Sequence, residues 1–171
     1  YKLGNPLDKE TTIGPMANVR FAAEVRAQIA EALDGGAVAH IDTFAEDDGA
    51  AYLTPQILTN VTHDMRVMRD ESFGPVVGIM KVKDDEEAIR LMNDSDFGLT
   101  ASLWTSDLER AERVGDRIET GTVFLNRADY LDPGLCWTGC KQTGRGGGLS
   151  VIGYHNLTRP KSYHLKRLGT A

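Results

Sequence analysis

A chain of 171 residues with 41% hydrophobic and 26% charged side chains has the balance of a folded globular protein and not of a disordered one. Its formal net charge of −6 argues against nucleic acid, which demands a basic face to neutralise phosphates. No apolar run nears the ~20 residues that cross a bilayer, and no charged-then-apolar leader follows Tyr1, so the expected setting is cytoplasmic, with no membrane partner.

Along the chain, Phe21, Val25, Ile29 and Leu33 recur every four residues and predict an amphipathic helix over residues 18–34. Gly35-Gly36 would end it, because glycine tolerates the left-handed conformation at a helix stop. A short apolar stretch at 37–41 and a polar surface loop at 46–49 follow. Val76-Val77-Gly78-Ile79-Met80-Lys81-Val82 is almost entirely apolar, as in a strand covered on both faces. Asp84 and Glu87 have the spacing of a capping box, with Ala88, Leu91 and Met92 as a helix face behind them. Residues 100–104 read as a strand. Ser106 and Glu109 form a second capping box ahead of Leu108, Ala111, Val114 and Ile118, and residues 121–125 read as a further strand.

Strand and helix alternating at this spacing imply an α/β fold: three layers, a largely parallel sheet flanked by helices. From 127 to 150 the pattern gives way to a glycine-rich loop region, and beyond 157 the tail reads as an extended C-terminal strand. Its Pro160 suits an edge position, and a lone edge is a template for pairing.

Several patterns carry no chemistry. Cys136 and Cys140 lie four apart, too few for a zinc site, and are expected to be reduced. Gly144-Arg145-Gly146-Gly147-Gly148 fits neither a dinucleotide fingerprint nor a P-loop and reads as a backbone turn. Ser150 lacks the flanking glycines of a nucleophile elbow.

One stretch stands out: Arg69-Asp70-Glu71-Ser72-Phe73-Gly74-Pro75-Val76. A carboxylate can accept two hydrogen bonds from the vicinal hydroxyls of a ribose, and a phenyl ring two residues on can wall the face of a nicotinamide. On these residues alone, a surface turn with Phe73 tucked into the core reads equally well.

Five segments then share one order. Gly4-Asn5-Pro6-Leu7-Asp8 with Thr12-Ile13-Gly14-Pro15-Met16 comes first, and Asp70-Glu71-Ser72-Phe73-Gly74-Pro75-Val76 follows. Asn93-Asp94-Ser95-Asp96-Phe97-Gly98-Leu99, Gly121-Thr122-Val123-Phe124-Leu125-Asn126 and Lys141-Gln142-Thr143-Gly144-Arg145-Gly146 complete the set. Together they resemble the C-terminal part of the aldehyde dehydrogenase family. The resemblance implies that residues 1–157 are the C-terminal portion of its catalytic domain and residues 158–171 its oligomerisation strand and tail. It implies NAD or NADP as cofactor, an aldehyde as substrate and a homo-oligomer as assembly. Glu71 would hold the nicotinamide ribose, and Phe73 would pack near the nicotinamide ring. Asn126, Asp129, Leu131 and Trp137 would fall on or near the substrate tunnel. No metal is implied. Cys136-Trp137-Thr138-Gly139 replaces the family's frequent proline–phenylalanine–glycine–glycine, which changes the shape of the tunnel entrance.

The family's chemistry runs through a cysteine thiohemiacetal, hydride transfer and thioester hydrolysis with a glutamate base. In the family's order the nucleophile and that base precede Gly4-Asn5-Pro6, so the 171 residues alone are expected to be inactive. Two other readings stand beside this one. The first is a non-catalytic assembly module or pseudoenzyme, and the second a semialdehyde or acyl-phosphate reductase relative.

Overall fold

A computed structural model describes residues 1–128 and 130–169. The chain is a mixed α/β protein that divides into two compact units, Tyr1–Asp84 and Asp85–Ala171.

In the first unit, helix α1 (Val19–Asp34) begins where the Asn18 side chain accepts the Phe21 N–H at 2.9 Å, satisfying one of the free amides of the first turn. Gly36, with φ of 95°, supplies the left-handed stop. The face that α1 buries differs from the four-residue stripe. Ala22, Val25, Gln28 and Ala32 are buried, whereas Phe21 and Leu33 lie at the margins. A helix turns once every 3.6 residues, so a strict spacing of four drifts by about 40° per step and carries its ends off the inner face.

Strand β1 (Val38–Ala39) runs antiparallel to β2 (Gln56–Thr59), which pairs in parallel with β3 (Val76–Ile79). Between β2 and β3 lies a short helix, α2 (Arg66–Arg69). Ala32, Ala37, Leu58 and Val61 form the core, with Ile29, Met65, Met68, Val76 and Met80 packed around it. Strand β3 is shorter than the apolar run and covered on one face only, for Val77 and Ile79 are 51% and 52% exposed. Alternation along a strand places these two on the face away from α1 and α2, and within this unit no element lies over them.

The loop at 46–49 is only partly at the surface. Asp47 keeps 10% of its side chain exposed and pairs with Arg26 at 2.8 Å. Arg26 also donates to the carbonyls of Ala50 and Tyr52, at 2.6 and 2.5 Å, and Asp47 accepts the Thr54 N–H at 2.8 Å. One half-buried ion pair therefore folds the loop onto α1.

In the second unit, α3 (Asp85–Asn93), the two-residue β4 (Phe97–Gly98), β5 (Thr100–Leu103), α4 (Leu108–Gly115) and β6 (Thr122–Leu125) follow in order, with β5 and β6 parallel. The cap of α4 is Asp107, accepting the Arg110 N–H at 2.9 Å, and not Ser106. Bidentate pairs Arg110–Asp85 and Arg117–Glu86 tie α4 and the turn beyond it to α3. Arg110 and Arg117 hold the carboxyls of Asp85 and Glu86 below their ordinary range.

The glycine-rich stretch is more ordered than a plain loop. Strands β7 (Trp137–Thr138) and β9 (Gly147–Gly148) pair antiparallel around a turn, β8 (Cys140–Lys141) pairs with β4, and a seven-residue helix, α5 (Ser150–Asn156), follows. Residues 158–169 are exposed throughout and form no β-ladder among the described residues. A strand makes its hydrogen bonds to a neighbour, so an extended tail without a partner edge has no ladder to show.

Candidate functional site

The loop that leaves α2 is built by alternation. Asp70 and Ser72 turn their side chains back toward the helices, and Gly74 brings its backbone close to α1. Arg66 Nε donates to Asp70 Oδ2 at 2.9 Å, and the Asp70 N–H donates to the Arg66 carbonyl at 2.8 Å. Ser72 Oγ donates to Gln28 Oε1 at 2.6 Å. A Cβ added at Gly74 would lie 2.7 Å from Val25 Cγ2, so only glycine permits this approach to α1. Arg66 in turn binds Glu31 at 2.9 Å and Glu24. Glu24 first, then Asp70 and Glu31, raise the guanidinium pKa above its ordinary value.

Glu71 and Phe73 take the outward positions. Glu71 is exposed, and Phe73 is 86% exposed with φ of 51°. The alternative of a phenyl ring tucked into the core is therefore not what the chain adopts. A non-glycine residue in the left-handed region is disfavoured, and an aromatic ring in water contributes no burial. The loop nevertheless presents both, a carboxylate and a flat apolar face, from a backbone anchored on either side. That pairing fits a ligand joining a diol to a planar ring.

The tunnel residues lie in the second unit. Asn126, with φ of 54°, turns its amide onto Thr105: Oδ1 accepts the Thr105 N–H at 3.0 Å and Nδ2 donates to its carbonyl at 2.9 Å. This closes the connection after β5, so Asn126 shapes the loop while its side chain is already engaged. Leu131 is exposed, and Trp137 is half-buried on β7, opposite Gly148. Asp129 lies outside the described residues. Arg127 rests its guanidinium 3.8 Å from the centre of the Tyr130 ring. Glu71 and Phe73 thus share one loop of the first unit, while Asn126, Leu131 and Trp137 share the segment that follows β6.

Both cysteines are free. Among the described residues no group of three or more His, Cys, Asp or Glu could hold a metal ion, and no helix is long and apolar enough to cross a membrane. Sequence reasoning missed Gln28, Arg66 and the Arg26–Asp47 pair. Gln28 had a signal: it lies three residues after Val25 on the apolar side of a helix, where a polar group requires a partner.

Comparison with known proteins gives one consistent result. The model of the aldehyde dehydrogenase family matches residues 1–163. Succinate-semialdehyde dehydrogenase [NADP(+)] of Deinococcus radiodurans is 37% identical over 158 residues, covering 92% of this chain and 33% of its own length. The solved structure of Gox0499 is similar with a TM-score of 0.85 and 39% identity, over 99% of this chain and 36% of that one. A mutant of P. syringae AldA indole-3-acetaldehyde dehydrogenase, solved in complex with NAD+ and IAA, has a TM-score of 0.85 and 32% identity, over 95% of this chain and 33% of that one. The chain therefore spans about a third of the length of the proteins it matches.

Proposed function

The chain belongs to the aldehyde dehydrogenase family, and from that premise we propose that it serves in the NAD(P)-dependent oxidation of an aldehyde to a carboxylic acid. In this reading Glu71 accepts hydrogen bonds from the nicotinamide ribose, and Phe73 walls the nicotinamide. Asn126, Asp129, Leu131 and Trp137 contribute to the wall of the substrate tunnel. The observation that carries it is the outward pair Glu71 and Phe73 on a loop held at Asp70, Ser72 and Gly74. Held there, the nicotinamide would supply the hydride acceptor. The chain's own residues bind and orient it, because a reacting atom out of place forfeits much of the rate.

The nucleophilic cysteine and the glutamate base belong, in this proposal, to other residues of a longer polypeptide. Cys136 and Cys140 take neither role. The setting is cytoplasmic and the assembly a homo-oligomer joined through residues 158–166. A purely structural module would have no use for an exposed carboxylate and ring held in place, which favours the enzyme reading over an assembly module. Either nucleotide fits the proposal, since NADP(+) stands in the name of the Deinococcus relative and NAD+ in the P. syringae complex.

The test has two arms. The complete polypeptide is assayed for nucleotide reduction with succinate semialdehyde, indole-3-acetaldehyde and simple aliphatic aldehydes, and turnover of at least one is expected. The isolated 171-residue chain is assayed in the same way and is expected to be silent. Turnover by that chain, abolished by thiol alkylation, would overturn the assignment of the nucleophile elsewhere.

A further inference from the structure

We propose that Gln28 and Arg66 are positioning residues for the Glu71–Phe73 pair, so that nucleotide handling depends on two side chains that do not themselves reach the nucleotide. This rests on the reading of Glu71 and Phe73 given above and goes beyond it by naming what sets their register.

Nothing intrinsic to residues 71–73 favours their observed conformation. Phe73 holds a left-handed backbone at 86% exposure, and such a conformation persists only where the surroundings over-determine it. Gln28 is 2% exposed on the inner face of α1, and its Oε1 accepts the Ser72 hydroxyl at 2.6 Å. Its Nε2 lies 3.5 Å from Asp70 Oδ2, a long contact. A buried amide left without a partner is costly, so Gln28 favours the loop arrangement that brings Ser72 inward. Arg66 selects the same arrangement through Asp70 at 2.9 Å, while Glu31 and Glu24 fix Arg66 to α1. Inward and outward positions alternate. A slip by one residue would therefore turn Glu71 toward the helices and Ser72 toward the ligand. Helix α1 acts as the ruler against which the loop is set.

The experiment uses the complete polypeptide and titrates NAD+ and NADP+ separately, by nucleotide fluorescence or protein quenching, alongside melting temperature and the split between nucleotide KM and kcat. Gln28→Leu, Arg66→Met and Ser72→Ala are compared with Glu71→Gln. The expected result is a three- to tenfold weaker affinity and a raised nucleotide KM for Gln28→Leu and Ser72→Ala, roughly the worth of one hydrogen bond. Arg66→Met is expected to act in the same direction. Ser72→Thr keeps the hydroxyl and should restore affinity. Adding Gln28→Leu to Glu71→Gln should cost less than the two effects summed, because both act through one contact.

If Glu71→Gln weakens binding while Gln28→Leu and Ser72→Ala leave it unchanged, the positioning role is wrong and the cofactor role stands. If Glu71→Gln itself changes nothing, the cofactor role fails and the positioning role falls with it. Should Gln28→Leu not fold, Ser72→Ala and its threonine rescue decide. A fall in melting temperature alone, at unchanged affinity, overturns the proposal.

Discussion

Among the segments that expose large apolar side chains, two do so in opposite ways. In the loop 70–74, Phe73 is exposed while its neighbours on either side are held by Gln28 and Val25 of α1. In the tail 158–169, Tyr163, Leu165 and Leu168 are exposed at 71%, 85% and 86%, and no ladder runs along them among the described residues. An apolar side chain in water is disfavoured in both places. What differs is the backbone. A ring on an anchored backbone is pre-organised for a small, rigid partner, because little further ordering is required on binding. An extended tail without a partner edge suits another polypeptide strand, which would supply the missing hydrogen bonds. On the reading proposed above, the loop serves a ligand and the tail serves assembly.

The comparison can be sharpened by a third segment. The loop through Asp47 is also anchored on α1 but presents no exposed aromatic ring beside its carboxylates, so its residues should matter for stability alone. Asp47→Asn leaves Arg26 facing three acceptors with one charge gone and should cost about 2–3 kcal/mol, read as a lower melting temperature at unchanged nucleotide affinity. Burial works to raise the Asp47 carboxyl, but the hydrogen bonds from Thr54, Arg26 and Gly49 outweigh it and hold it below its ordinary value. A folded-state pKa below the unfolded one contributes stability above the unfolded pKa of ~4 that is lost as pH falls through the folded value. Acid below that point should therefore expose residues 44–54 to proteolysis, and Asp47→Asn should remove the pH dependence of that exposure.

Gly74→Ala tests the anchoring of the site loop. The added methyl would meet Val25, and overpacking of this kind costs about 1–3 kcal/mol. Unlike Asp47→Asn it should also weaken nucleotide binding, because the loop must shift. Phe73→Gly comes next. Removing a left-handed side chain that buries almost nothing should stabilise the fold by about 1 kcal/mol while slowing hydride transfer, a gain in stability at the expense of function. The smallest effect on stability is expected from deleting the tail. Removal of residues 158–171 should leave the unfolding free energy of the isolated 171-residue chain unchanged to within ~0.5 kcal/mol. In the complete polypeptide the same deletion should lower the mass in solution, measured by light scattering. An unchanged oligomer would break the contrast between loop and tail.

The sequence showed the alternation of helix and parallel strand plainly, because long periodic segments such as 18–34 and the apolar run before residue 80 announce themselves. It misjudged the faces. A four-residue stripe through Phe21 and Leu33 looked like the buried side of α1, yet the helix period rotates those ends outward and brings Gln28 inward. The apolar run at Val76 suggests cover on both faces, and within these 171 residues the strand half-buries one. The short strands β7 to β9 and helix α5 were hidden by glycines, since ladders of two residues leave no periodicity to read. At the site, Glu71 and Phe73 were legible as a motif. The residues that aim them were not, because the contacts of Gln28 with Ser72 and of Arg66 with Glu24 and Glu31 join positions 35 to 44 apart in sequence.

The central claim is that Glu71 and Phe73 grip the nicotinamide half of the cofactor, and nucleotide titration of the complete polypeptide tests it most directly. Glu71→Gln is predicted to raise the dissociation constant by about ten- to a hundredfold, the worth of a hydrogen bond to an ionised group. Phe73→Ala is predicted to slow single-turnover hydride transfer. Because neither side chain is buried within the 171-residue chain, both variants of that chain should differ from the parent by no more than ~0.5 kcal/mol in unfolding free energy. Unchanged affinity and unchanged hydride transfer in two well-folded variants would contradict the claim and leave the loop as an anchored turn with no part in binding.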